Sequence, residues 1–207
     1  MKITESKNCF KIADVELSKD KKHTLVLNVC NEFTDLLGRV YRKSLFKENV
    51  CRDYFIIESG QIAKIGQSGA KGGMKQTLEI YKTGGLGGKP SCRSIGTWLE
   101  MYKSVLSGNK IEIWMHYWEN IPVVEEDFLG NELTLSIRPD PKQIESADLN
   151  AYKKIEGFYP KWNHQERHEE WPEEVRMLEI ECKKGKGNRD VERVLAEAFK
   201  KLGIELD

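Results

Sequence analysis

The stretch RDYFIIESGQIAKIG, residues 52–66, places two short apolar runs on either side of Glu58-Ser59-Gly60. Runs rich in isoleucine and aromatic residues that flank a Ser-Gly pair are typical of the two strands of a β-hairpin. Because both runs are apolar, we predict that this hairpin is buried inside the domain. The stretch also holds a tyrosine in its first run and a lysine in its second, which raises the question of a chemical role.

The length of the loop decides which side chains of the hairpin face each other. With the two-residue loop Ser59-Gly60, Phe55 would pair with Lys64. With a three-residue loop that begins at Glu58, Gly60 takes the left-handed position that favours glycine, and Tyr54 lies opposite Lys64. We predict the second register, in which the ammonium group favours the phenolate and the phenolate accepts a proton from water. An ordinary cross-strand packing pair is the alternative interpretation.

Hydrophobic periodicity predicts the elements around the hairpin. Strands are predicted at residues 24–30, 110–118 and 131–139, and helices at 32–45, 74–81, 95–106, 141–156 and from Asn188 to about Leu202. This order indicates a small α/β (α+β) domain with a mixed or antiparallel sheet flanked by helices.

Composition excludes several classes of protein. The chain has 207 residues, of which 39% are hydrophobic and 32% charged, as in a globular protein of one domain. It has no run long enough to span a membrane and no apolar signal segment at its start, so we expect no membrane partner. The five cysteines are odd in number and never in C-x-x-C spacing, which argues against a disulfide scaffold or zinc ribbon and predicts a cytoplasmic protein.

The charge is balanced overall but unevenly distributed. Residues 59–118 carry 8 Lys and Arg against 3 Asp and Glu, whereas residues 119–182 carry 7 against 16. A basic segment that precedes an acidic one is consistent with a phosphate-binding surface beside a metal-binding carboxylate. Two solvated faces of opposite sign are the alternative interpretation.

Several short motifs follow one another in a recognisable order. Arg52-Asp53-Tyr54 stands ten residues before Lys64-Ile65-Gly66, a helix that carries Lys75 comes next, and Pro160-Lys161-Trp162-Asn163 follows an acidic helix. This order resembles the GIY-YIG nuclease superfamily over residues 52–163. The chain lacks the glycine and isoleucine of the family's first motif, and Lys75 stands where the family has arginine, unless Arg93 from the next segment takes that place.

The resemblance implies a Mg²⁺-dependent endonuclease of restriction type that hydrolyses double-stranded DNA. It implies that Tyr54 is the general base, that Lys64 tunes it and meets the phosphate, and that Glu145 holds the metal. We prefer Glu145 to Asp148 and Glu156 because Leu149, four residues after it, lets one helix face pack inwards. The predicted phosphate and DNA contacts are Lys71, Lys75, Lys89, Arg93 and Asn163.

The resemblance also divides the chain. We expect an N-terminal extension packed on the core at residues 1–50, a GIY-YIG-like core at 51–163 and a C-terminal helical extension at 164–207. Cleavage of both DNA strands with one active site per chain would suggest a homodimer.

Three other functions are consistent with the sequence. Asp140, Glu181 and Lys183 mimic the PD-(D/E)xK nuclease pattern, in which strand carboxylates hold Mg²⁺, although the same segment also reads as a helix opened by Pro172. A DNA-binding module without catalysis would use the same basic segment. A partner-binding protein would use the amphipathic C-terminal helix, and it would have no affinity for DNA.

Overall fold

The computed structural model describes residues 1–184 and 191–201, without the side chains of residues 191, 192 and 198. The strands are β1 (Phe10–Leu17), β2 (Leu25–Val29), β3 (Phe33–Thr34), β4 (Val40–Tyr41), β5 (Cys51–Glu58), β6 (Gln61–Gln67), β7 (Ile111–Trp118), β8 (Ile121–Glu126) and β9 (Glu132–Ile137). The helices are α1 (Gly73–Thr83), α2 (Cys92–Leu106), α3 (Pro141–Glu156), α4 (Glu173–Lys183) and α5 (Val191–Lys201).

Five strands form the central sheet in the order β2-β1-β7-β5-β6, and every neighbouring pair is antiparallel. The predicted α+β class with an antiparallel sheet and flanking helices is therefore confirmed. Strands β1 and β2 lie in the same sheet as the hairpin β5–β6, so the first 50 residues contribute directly to it. The division of the chain at residues 50 and 163 stays a prediction.

Both faces of the sheet are covered, which explains why the hairpin strands are almost uninterruptedly apolar. Alternate residues of β5 enter two separate clusters: Tyr54 and Ile56 pack with residues of α1, α2, α4 and α5, and Phe55 and Ile57 pack with residues of α3. Since successive strand residues point to opposite faces, a strand buried on both sides needs apolar residues at consecutive positions.

The structure corrects parts of the predicted element list. Residues 32–45 hold the two short strands β3 and β4 and the start of a 3-10 turn at Lys43–Phe46, so the predicted helix there is wrong. Strands β1 and β8 were not predicted. β8 and β9 form a separate hairpin on which Val124, Phe128 and other aliphatic or aromatic side chains are exposed. In the ranges that the structure describes, no helix is long and apolar enough to cross a membrane.

The C-terminal helix α5 is confirmed, while its predicted limits at Asn188 and Leu202 lie outside the described residues. Its apolar side chains Val194, Leu195 and Phe199 are buried in the core. The chain itself covers that face of α5, so the apolar stripe is not available to a partner protein. This argues against the partner-binding alternative.

Candidate active site

The loop of the β5–β6 hairpin is the two-residue turn Ser59-Gly60, with φ of 48° and 85°. Positive φ at both positions is the signature of a type I′ turn, which matches the twist of a hairpin. Tyr54 pairs with Gly66 and Ile56 pairs with Lys64, so the predicted three-residue register is wrong. Sequence favoured Gly60 as the single left-handed residue, whereas Ser59 adopts that conformation too.

The predicted shared face of Tyr54 and Lys64 nevertheless exists, by a different route. The pairing of β5 with β6 shifts between Ile56 and Ile57, where Ala63 is the extra residue of a β-bulge. The bulge moves Lys64 opposite Ile56, which lies on the same face of β5 as Tyr54. Tyr54 and Lys64 are therefore diagonal neighbours on one face of the hairpin, a spacing that long side chains can bridge.

The ring of Tyr54 lies across Gly66 and fills the space that a side chain at residue 66 would need. A Cβ atom built at residue 66 would stand 2.5 Å from Cζ of Tyr54, closer than two such atoms can approach. The glycine of the Lys64-Ile65-Gly66 motif thus fixes the position of the phenol.

We expect Gly66→Ala to lower the free energy of unfolding by about 1–3 kcal/mol, because the ring must move away from an overpacked site. Gly87→Ala is the matched control, since a Cβ there meets no atom within 4 Å. Urea unfolding of the two variants measures the difference. Equal stabilities would mean that Tyr54 does not need this glycine.

The Tyr54 hydroxyl is buried and hydrogen-bonded to a second phenol. Its oxygen lies 2.5 Å from the hydroxyl oxygen of Tyr81, which α1 brings over the sheet. Burial, and then the Tyr81 group, raise the pKa of Tyr54 well above its ordinary value. The phenol is therefore protonated in the free protein, and a neighbouring group has to accept its proton before it can act as a base.

Lys64 is a buried lysine with little to hold its charge. Only 2% of its surface is exposed, and its Nζ lies 3.5 Å from the carbonyl oxygen of Trp162. Burial, and then repulsion by Arg93, lower the pKa of Lys64 from 10.5 to about 8, while Glu166 and Glu145 act in the opposite direction. The amine is consequently still mostly protonated at pH 7, and its neutral fraction grows rapidly as the pH approaches 8.

This depressed pKa predicts how Lys64 affects stability. Between pH 8 and 10.5 the unfolded chain binds more protons at Lys64 than the folded chain, so its contribution to stability rises with pH. We expect wild type to gain about 3 kcal/mol relative to Lys64→Met across this window. Chemical unfolding of both proteins at several pH values provides the measurement. A difference that does not change with pH would contradict the assignment.

The segment Pro160–Asn163 covers the free edge of β6, the outermost strand of the sheet. The Trp162 amide donates to the Ala63 carbonyl at 2.9 Å. The Asn163 side chain accepts from the Ile65 amide at 3.0 Å and donates to the Ile65 carbonyl at 2.9 Å. Asn163 is only 1% exposed, so in this structure its amide group satisfies a strand edge that would otherwise be unpaired.

Glu145 lies on α3, close to where β6 ends. Asp140 caps this helix by accepting from the Lys142 amide at 3.0 Å, and Pro141 occupies its first turn. The carboxylate of Glu145 is buried and accepts from the Gln67 amide at 3.2 Å. Burial raises its pKa, and the positive charges of Arg93 and Lys64 oppose that rise. The predicted carboxylate and the predicted cations are thus close enough to act on one another.

Arg93 enters the site from the first turn of α2. Its Nη2 atom lies 3.2 Å from Oε1 of Glu166, and its side chain is 36% exposed. Oε2 of Glu166 accepts a 3.4 Å hydrogen bond from Nδ2 of Asn163. Arg93 also acts on Tyr54, Lys64 and Glu145 through its charge. Among Tyr54, Lys64, Arg93 and Glu145, Arg93 is therefore the partly exposed cation, and in the free protein it has Glu166 as its carboxylate partner.

The other predicted DNA contacts lie on the surface. Lys71 precedes α1, Lys75 is in its first turn, and Lys89 precedes α2, and all three are exposed. They are accessible to a polyanion, and their contact with DNA stays a prediction.

The PD-(D/E)xK alternative does not match the structure. Glu181 and Lys183 lie on α4, which Pro172 caps, so the strand that this pattern requires is a helix. Glu181 is buried and paired with Lys184, Lys183 pairs with Glu179, and Asp140 caps α3. The helix interpretation of this segment is confirmed.

Two residues of the cluster were not predicted from the sequence. Tyr81 continues the apolar stripe of Met74 and Leu78, so its pattern is that of an ordinary core residue. Glu166 follows Asn163 by three residues in a turn, and only the position of Arg93 in the fold gives it a role.

Comparisons with known proteins give weak likenesses. No family model and no curated protein matches the chain. A mutant of bacteriophage T4 EndoII is 15% identical, with a TM-score of 0.42, over 75% of this chain and 90% of that one. Restriction endonuclease HPY188I in complex with product DNA is 14% identical, with a TM-score of 0.39, over 77% of this chain and 84% of that one. Both TM-scores lie below 0.5, so neither likeness assigns the chain to a family.

Proposed function

We propose that this protein is a Mg²⁺-dependent endonuclease that hydrolyses phosphodiester bonds of double-stranded DNA, of restriction type. The observation that carries the proposal is the convergence of five side chains at one end of the β5–β6 hairpin. They are Tyr54, Tyr81, Lys64, Arg93 and Glu145. Residues from the basic and the acidic segments of the sequence meet there, which provides cations for a phosphate beside a carboxylate for a metal.

The roles of the polar groups follow from their charge and burial. In its neutral amine form, which the lowered pKa of Lys64 makes accessible, Lys64 can take the proton of Tyr54 and become an ammonium group, and the resulting phenolate can remove a proton from the attacking water. Arg93 is partly exposed, so it can reach the phosphate and neutralise the charge that develops on its non-bridging oxygens. In this proposal Asn163 holds the segment Pro160–Asn163 at the edge of β6. The Trp162 carbonyl of that segment positions Lys64, so Asn163 acts on Lys64 indirectly.

Glu145 fits Mg²⁺ as a single carboxylate ligand. In residues 1–184 and 191–201 no three His, Cys, Asp or Glu side chains are grouped as a complete metal site. Mg²⁺ commonly binds through one or two carboxylates together with water and substrate phosphate, so one well-held carboxylate is sufficient. When bound there, Mg²⁺ would supply electrostatic stabilisation of the leaving oxygen.

The direct test is a cleavage assay on DNA that contains every short sequence and carries no methylation, such as a large amplified viral genome. We expect discrete fragments with Mg²⁺ or Mn²⁺ and intact DNA with a chelator. A homodimer is the arrangement that would cut both strands, and the mass of the DNA-bound protein in solution tests it. Binding of DNA without cleavage by either metal would favour the non-catalytic module.

A further inference from the structure

Asp53 lies beside Tyr54 in β5 but points to the opposite face of the sheet, towards α3. It is completely buried, and no N–H or hydroxyl group of the described residues donates to its oxygens; its hydrogen-bonding contact is with another carboxyl group, that of Asp148. An ionised carboxylate in such a place is expensive unless a positive species compensates it. If Asp53 is ionised, a positive species must therefore balance its negative charge.

The strands on either side of β5 add a second uncompensated acceptor. Gln67 of β6 and His116 of β7 pair directly with Asp53, so their side chains lie on the same face of the sheet. The Oε1 atom of Gln67 is also buried without a hydrogen-bond donor in the described part of the chain. Two side chains on one face of the sheet whose oxygens receive no N–H or hydroxyl donor, Asp53 and Gln67, are a pattern that a bound cation would explain.

Helix α3 brings further negative charge to the same place. After burial, the carboxylates of Asp148 and Glu145 are the groups that raise the pKa of Asp53, to about 9. Asp148 follows Glu145 by three residues and so lies on the same side of α3. Carboxyl groups from β5 and α3 thus meet, and the Gln67 side chain of β6 lies on the same face of the sheet.

A cavity of about 140 Å³ lies on the same face of the sheet and reaches Asp148, the hydrogen-bonding neighbour of Asp53. Asp148, His116 and Cys9 are among its lining residues, together with the exposed Lys7. Asp148 and His116 are thus neighbours of Asp53 that also line the cavity, so an ion bound by Asp148 would have water on its cavity side.

We propose that Asp53, Asp148 and the side-chain oxygen of Gln67 bind a hard divalent cation of the Mg²⁺, Mn²⁺ or Ca²⁺ class. The donor set consists of carboxylate and amide oxygens, which these ions prefer, and water completes the coordination. The ion would tie α3 to β5 three residues from Glu145, so Asp53 and Asp148 are positioning residues for that carboxylate. The site is additional to the metal bound by Glu145 and does not depend on nuclease activity.

The test is the binding of Mn²⁺ to the full chain without DNA, followed by the electron paramagnetic resonance signal of free Mn²⁺. Wild type and Glu145→Gln should both retain a tight site, whereas Asp53→Asn and Asp148→Asn should bind at least about tenfold more weakly. Glu16→Gln, which alters an exposed carboxylate of β1, is the matched control. Mn²⁺ should also raise the melting temperature of wild type and Glu145→Gln, but not that of the two Asp variants.

Each outcome decides the proposal. Absence of tight Mn²⁺ binding in wild type would overturn it and would indicate that Asp53 and Asp148 share a proton instead. Equal Mn²⁺ affinity in wild type and Asp148→Asn would also overturn it, and this partly exposed variant is informative even if Asp53→Asn fails to fold. Tight binding by a wild-type protein that cleaves no DNA would leave the cation site intact and refute only the nuclease.

Discussion

The Glu145→Gln variant is expected to cleave DNA roughly a thousandfold more slowly than wild type, because the ligand for Mg²⁺ loses its charge. The substitution preserves the shape of the side chain and an oxygen that can still accept from the Gln67 amide at the end of β6. DNA binding and thermal stability should therefore change little. The rate of plasmid cleavage at saturating Mg²⁺, measured beside the binding affinity, separates these effects.

Glu156→Gln is the matched control for this experiment. Glu156 lies at the end of the same helix, where it pairs with the amino terminus at 2.9 Å, away from the predicted cations. It should retain full cleavage activity. An active Glu145→Gln variant would mean that another carboxylate holds the metal, and Asp148 would then be the first to examine.

The hairpin shows how far sequence predicts this site. The spacing of Tyr54 and Lys64 correctly placed both on one face, although the predicted register is wrong. The two-residue turn moves the pairing by one residue and the bulge at Ala63 moves it by one more in the same direction, so Lys64 lies opposite Ile56, two residues from Tyr54 and on the same face. Local sequence signals the presence of a turn, but a bulge depends on packing against neighbouring strands and helices.

Long-range packing accounts for most of what was missed. Strand β1 was not predicted because its apolar residues are interrupted by Lys11, Asp14 and Glu16 and because its alternation is broken by an irregular pairing with β7. Asp53 and Asp148 are 95 positions apart by their numbers, and nothing in either segment indicates that a fully buried carboxylate faces α3. Helices with a clean apolar stripe, such as α2 and α5, were predicted because their burial follows from local periodicity.

The sequence motif and the fold favour different side chains as the cation that binds the phosphate. Lys75 occupies the position of the family's arginine in the sequence pattern, but Arg93 is the cation whose charge acts on Tyr54, Lys64 and Glu145. We therefore expect Arg93→Ala to lower the cleavage rate by about 10²–10³-fold, the usual cost of losing one transition-state contact. Lys75→Ala should lower it by less than about tenfold.

The salt dependence of DNA binding tests the same assignment without catalysis. If Arg93 contacts a phosphate, Arg93→Ala should reduce the slope of log K against log salt by about one unit. Glu166→Gln should act in the opposite direction and tighten binding, because DNA no longer has to displace the carboxylate that lies 3.2 Å from Arg93. The opposite result would be a large loss of cleavage in Lys75→Ala while Arg93→Ala and Glu166→Gln behave like wild type. It would assign the phosphate contact to Lys75 on α1, and the Arg93–Glu166 ion pair would then be a structural contact only.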